Sequence, residues 1–188
     1  MSKYHDPVLL AECLDGLNIN PKGTYVDVTF GGGGHSRSIV SKLSTGHLYA
    51  FDQDDDALKN EIKDDRFTLI NANFKYLKGS LRMYGVKKID GLLADLGVSS
   101  HQFDVPDRGF STRFEADLDM RMDQNAALNA YKVINEYTQE DLRNILKFYG
   151  ELKRPGTVAR IICEARINGP ISTVSELKSL LKPFTPAM

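Results

Sequence analysis

Four consecutive glycines stand between a strand-like and a helix-like stretch, and few folds accommodate that arrangement. The segment reads Val26-Asp27-Val28-Thr29-Phe30-Gly31-Gly32-Gly33-Gly34-His35-Ser36, with Ile39, Val40 and Leu43 following as a helical apolar stripe. A strand that stops at such a run and continues as a helix makes a tight turn whose amides lie open to a ligand. Glycine allows positive φ there and places no side chain in the way. The helix points its unbonded amides and positive dipole end back at the turn, which suits a carboxylate or a phosphate.

The rest of the first half keeps the same rhythm. A strand over 47–51 ends at Asp52, a short helix is predicted over 57–62, and a third strand over 67–70. A helix over 76–84 follows, then a nearly continuous apolar run over 89–94 that ends at Asp95. Alternating strands and helices predict βαβ units and a parallel α/β sheet. From about Asp104 the character changes. Residues 104–125 are polar and loop-like, and the helices beyond them have no strands between. Thr138 with Asp141, and Thr173 with Glu176, read as helix N-terminal capping pairs. The expected division is an α/β domain over 1–104 and a helical domain over 105–188.

Composition excludes several classes. The 188 residues are 41% hydrophobic and carry a formal net charge of −1, so no global basic field draws in nucleic acid and any such contact is local. Cys13 and Cys163 form no C-x-x-C pair, which argues against a disulfide framework or a zinc site. A reducing cytosol fits, and the expected location is cytoplasmic. Neither a secretory leader nor a membrane-crossing apolar run is seen, and no metal or membrane partner is expected.

Asp52 follows the glycines at about the spacing, ~20 residues, of an acid that accepts ribose hydroxyls. Asp95 ends the fourth strand, and ligands of open α/β sheets sit beyond such strand ends. Each feature alone has a plainer reading: a tight turn, a solvated acid followed by Asp54, Asp55 and Asp56, a helix cap. Their convergence points to a nucleoside. The dinucleotide pattern G-x-G-x-x-G needs glycine where Ser36 or Arg37 stands, and no P-loop occurs. Asp27 would repel a pyrophosphate but suits a cationic sulfonium, which favours S-adenosylmethionine. A nicotinamide-dependent oxidoreductase on a similar sheet is the rival class.

Further motifs are more specific: His5-Asp6-Pro7-Val8-Leu9-Leu10, the run from Ile89 through Asp95-Leu96-Gly97-Val98-Ser99-Ser100, Arg108-Gly109-Phe110-Ser111, and Leu118-Asp119-Met120-Arg121-Met122-Asp123. With the glycine segment, they resemble the MraW/RsmH methyltransferases, which methylate N4 of a cytosine in bacterial 16S ribosomal RNA. The resemblance runs from residue 5 to about 182. It implies a Rossmann-like class I methyltransferase sheet with an inserted helical domain, S-adenosyl-L-methionine as cofactor, and 16S rRNA within the small ribosomal subunit as partner. It implies Gly33, Gly34 and His35 against the methionine end of the cofactor and Asp52 on the ribose. It further implies Phe74 near the adenine and Asp95 and Gln102 completing the pocket, with Asp95 also a candidate to orient the acceptor amine. Without it, Phe74 reads as a core aromatic, His35 as a helix-start residue and Gln102 as a loop residue.

Two departures stand out. Gly150-Glu151-Leu152-Lys153-Arg154-Pro155 replaces the family's Gly-Glu-Glu/Asp-Arg helix start. The family's later strands and a Ser-Phe-His-Ser-like segment have no counterpart, which implies a truncated member with an incomplete sheet. Its fourth strand is then an open edge through which copies can self-associate, and a non-catalytic cofactor-binding fragment is a further reading. RNA contact is expected on the helical part, where eight lysines and arginines face three glutamates over 143–182. Arg108, Arg113 and Arg121 are expected nearer the reaction, and the acceptor base is expected to reach the methyl group in a cleft.

Overall fold

The computed structural model describes residues 7–184; His5 and Asp6 of the first motif lie outside the described residues. The chain forms two compact units. The first comprises 1–99 with 122–124, the second 100–121 with 125–188. The division falls five residues before the boundary expected at 104. Ser100–Asp104 is a helix whose end is held by Arg113, which donates to the Asp104 carboxylate and the Phe103 carbonyl. That short-range bonding ties it to the second unit.

In the first unit, α1 (Leu10–Leu17) precedes β1 (Thr24–Asp27), α2 (Gly34–Lys42) and β2 (His47–Asp52). β3 (Phe67–Asn71), α3 (Leu77–Met83) and β4 (Gly91–Leu93) follow. All strand pairs are parallel, in the order β3-β2-β1-β4. Alternation along the strands covers both faces of the sheet. Tyr25, Leu48, Ala50 and Phe67 point into one cluster with Ile39, Val40 and Leu43 from α2 and its end. Val26, Phe51 and Ile70 point into the other, against Leu77 and Leu81 of α3. A fully buried side chain of this kind contributes about 1.5–3 kcal/mol, so β1, buried on both faces, anchors the glycine turn firmly.

Two sequence-based expectations differ. The helix expected over 57–62 is a 3-10 turn at Asp55–Asn60, because Asp54 accepts the Asp56 amide and starts it earlier. The fourth strand is three residues long, so Asp95 stands on the loop beyond it rather than at its last position. β4 is an edge of this sheet, and Leu92 is 44% and Leu96 69% exposed.

The second unit holds α4 (Ser100–Asp104), α5 (Ala130–Glu136), α6 (Gln139–Phe148), α7 (Pro155–Ala165) and α8 (Val174–Leu181). Leu118, Leu142, Val158, Ala159, Ile162, Ile171 and Val174 form its core. Thr138 accepts the Asp141 amide at the start of α6, and Thr173 with Glu176 closes a reciprocal capping box on α8. Pro155 takes the first position of α7, where its missing amide costs nothing. No helix among the described residues is long and apolar enough to cross a membrane.

Candidate functional site

The glycine turn joins β1 to α2, and its residues are held for different reasons. Gly31 has φ 50°, its amide donates to Asp52 Oδ2 at 2.7 Å, and a Cβ there would meet nothing within 4 Å. Gly33 has φ 76° and caps α2 with no side-chain cap hydrogen bond. The first amides of α2 therefore face the turn without the side-chain acceptor that Thr138 and Thr173 provide elsewhere. Gly34 serves packing, since a Cβ on it would stand 2.7 Å from the Pro7 ring.

Two carboxylates end at this turn, and the backbone of a third aspartate is tied to it. Asp27 is 1% exposed; its Oδ2 accepts from the Ser36 hydroxyl at 2.7 Å, and its Oδ1 accepts from the Thr29 amide and hydroxyl at 3.0 and 3.2 Å. Burial pushes its carboxyl above the usual range, against the pull of the Ser36 and Thr29 bonds. Asp52, at the end of β2, takes the Gly31 amide on one oxygen and the Asp54 amide on the other. Burial raises its pKa too, the amides oppose that, and the neighbouring Asp54 charge adds to it. The Asp95 amide donates to Thr29 Oγ1 at 2.8 Å, across 66 residues of sequence. Asp52 and Asp95 thus attach to Gly31 and Thr29, two residues apart in one turn.

Phe74 opens a 3-10 turn after β3 and is 45% exposed, so it is not a core aromatic. Its flank is organised by Asn73, which donates to Gln53 Oε1 at 2.6 Å. His35 is buried in the first turn of α2, and its Nε2 lies 3.1 Å from the Val8 carbonyl. The imidazole is turned to the N-terminal segment, and what it offers a ligand at the turn is its backbone amide. Gln102 belongs to the second unit, buried on α4. Thr29, Gln53 and Asn73 were not singled out from sequence. Their signal is adjacency alone, beside Asp27, Asp52 and Phe74, and composition does not separate them from ordinary turn residues.

Within the second unit, the Arg108 and Arg121 motifs are wound into one knot. Arg108 is 2% exposed and donates to the Arg121 carbonyl, while the Met120 amide donates to the Arg108 carbonyl. Arg121 donates from Nε and Nη2 to Asp119 and from Nη1 to the Ala126 carbonyl. Each of Arg108, Arg113 and Arg121, expected nearer the reaction, bonds partners inside this unit, Arg113 through the Asp104 carboxylate. Arg166 is likewise spent on the Ile134 and Tyr137 carbonyls, and Arg160 on Glu164. No cluster of three His, Cys, Asp or Glu residues arranged for a metal ion occurs among the described residues.

Parallel strands in this order, with a glycine turn after β1 and acids beyond β2 and β4, define a Rossmann-like methyltransferase fold. The profile of the MraW methylase family matches residues 2–188. The chain belongs to that family. Among its relatives is a protein of Flavobacterium johnsoniae named ribosomal RNA small subunit methyltransferase H, 60% identical over 98% of this chain and 61% of the relative. Proteins of the same name from Christiangramia forsetii and Phocaeicola vulgatus are 59% and 55% identical, over 98% and 96% of this chain. The chain spans about three fifths of the length of these relatives, at 61%, 61% and 60%.

Proposed function

We propose that this chain binds S-adenosyl-L-methionine and transfers its methyl group to the exocyclic N4 of a cytosine in 16S ribosomal RNA. One observation carries the reading: in a member of this family, a glycine turn with uncapped helix amides stands between the Asp52 and Asp95 attachments. The residues suit the cofactor. The space above Gly31 is open, and the uncapped amides of α2 suit the carboxylate of the methionine moiety. Asp52 retains lone-pair capacity for a ribose hydroxyl after taking the amides of Gly31, Gln53 and Asp54. The exposed ring of Phe74 suits packing on adenine, and both Phe74 and Gln102 are assigned cofactor contacts from the resemblance.

When bound, the cofactor supplies an electrophilic methyl group on a cationic sulfonium. Asp27 and Asp52, buried or half-buried acids, favour that positive charge and disfavour a pyrophosphate. Asp95 accepts a hydrogen bond from the cytosine amine, orients its lone pair and takes the proton that nitrogen loses once the new N–C bond has formed. Among the helical residues, Lys147, Lys153 and Arg154, around the join of α6 and α7, are assigned to RNA phosphates. The reaction is placed in the cytoplasm, in keeping with Cys13 and Cys163 both being free thiols.

Calorimetric titration with S-adenosylhomocysteine tests the reading. Wild type binds, and Asp52→Ala weakens binding roughly 30-fold, the worth of a charged hydrogen bond. Transfer of a labelled methyl group to undermethylated small subunits tests the reaction. Binding without transfer would mark a non-catalytic binding protein. Protection from thermal unfolding by NADH, with none by S-adenosylhomocysteine, would mark an oxidoreductase instead.

A further inference from the structure

Thr29 is polar and stands two residues before Gly31, at the start of the turn. Its hydroxyl has two partners of opposite demand. It donates to Asp27 Oδ1 and accepts from the Asp95 amide. A hydroxyl has one proton. The Asp27 carboxylate is an acceptor held inside the protein and further fixed by the Ser36 hydroxyl and the Thr29 amide, so the proton points to it. The lone pairs of Thr29 then face the Asp95 N–H.

The backbone at Asp95 needs such a hold. The β1–β4 ladder pairs Asp27 with Leu93, and the Val28 amide extends it by one bond to the Leu93 carbonyl. Asp95 lies two residues farther, on an exposed loop that runs into Gly97 at φ 156°. We propose that Thr29 is a positioning residue: oriented by Asp27, it clamps the Asp95 backbone and so sets where the Asp95 carboxylate stands relative to the glycine turn. The inference rests on the reading that Asp95 serves the cofactor and acceptor site. Thr29 acts through Asp95 and touches neither ligand.

The test compares Thr29→Val, which keeps the branched shape and loses the acceptor, with Thr29→Ser, which keeps the hydroxyl. Amide hydrogen exchange at Asp95 reports the clamp directly, and S-adenosylhomocysteine affinity reports its use. Thr29→Val is expected to speed exchange at Asp95 about tenfold and to weaken S-adenosylhomocysteine about tenfold. Thr29→Ser restores both to within about twofold. Asn60→Ala removes a side-chain bond to the Gly31 carbonyl, outside the Asp27–Thr29–Asp95 chain, and is expected to leave exchange at Asp95 unchanged, which separates the clamp from general loosening of the turn. Unchanged exchange at Asp95 in Thr29→Val, or wild-type affinity despite faster exchange, overturns the proposal. If wild type binds no S-adenosylhomocysteine, the cofactor reading falls, and the exchange rates alone decide whether the clamp exists.

Discussion

Asp27 and Asp119 each sit at the centre of a hydrogen-bonded network, one in each unit, and the two are built on opposite principles. Asp119 is chelated by Arg121, and that pairing holds its carboxyl below the ordinary range. Asp27 is more deeply buried, and the hydroxyls of Thr29 and Ser36 that bond it carry no charge. Burial drives its carboxyl upward, and Asp52 nearby shows the same direction. A charge met by a counter-charge is architecture; a charge buried against neutral donors costs stability and is characteristic of sites that await a ligand. The difference teaches where a cation is wanted in this molecule. On the proposed reading it is wanted at the glycine turn, whereas Asp119 already has Arg121.

That contrast can be broken in several ways. The largest effect is expected from Leu142→Ala, which hollows the second core and lowers unfolding stability by about 3 kcal/mol in chemical denaturation. S-Adenosylhomocysteine affinity should hold to within about twofold; an equal loss of affinity would mean that the two networks are not energetically separate. Asp119→Asn removes the charge from the Arg121 chelate and should cost about 1.5 kcal/mol near neutral pH.

The pH dependence sharpens the comparison, because the two aspartates have opposite signs. The stability contributed by Asp119 is present above its unfolded value near 3.8 and is lost as pH falls through its depressed folded value. For Asp27 the folded state keeps its proton after the unfolded chain has released it. Its contribution is therefore full below 3.8 and is lost as pH rises through the raised folded value. Denaturation midpoints across the acid range, for wild type, Asp119→Asn and Asp27→Asn, should give difference curves of opposite slope. Curves of the same slope would erase the distinction. Smaller still, Thr173→Ala removes the cap of α8 and should cost about 1 kcal/mol in thermal unfolding. Weakest of all is pairing of copies through the exposed β4 edge, to be seen as concentration-dependent sedimentation; a monomer at all concentrations would count against it.

Much of the first unit was legible because its signals are local. Strand alternation, the glycine run and the spacing of Asp52 are short-range patterns, and they lead to the observed parallel sheet. The Thr138 and Thr173 caps were legible for the same reason, since a cap lies within one helical turn. What escaped is long-range. No periodicity announces that the Thr29 hydroxyl takes an amide 66 residues away. Nor does any show that the Arg108 side chain is buried and donates to the Arg121 carbonyl, 13 residues on. The bond between the His35 ring and the Val8 carbonyl, 27 residues apart, had no signal in sequence either. At the site itself, the residues that bear charge were visible, whereas the neutral groups that aim them were not.

Pro7 fills the volume a side chain on Gly34 would need, and the next carbonyl holds the His35 ring. The start of α2 is therefore roofed by the chain's own leading segment. Trimming through Val8, or fusing a bulky domain close against it, removes or shifts that roof while leaving every residue of the turn in place. Ligand affinity then becomes a gauge of how intact the first few described residues are, and purified samples that differ only by a nick there will titrate as two populations.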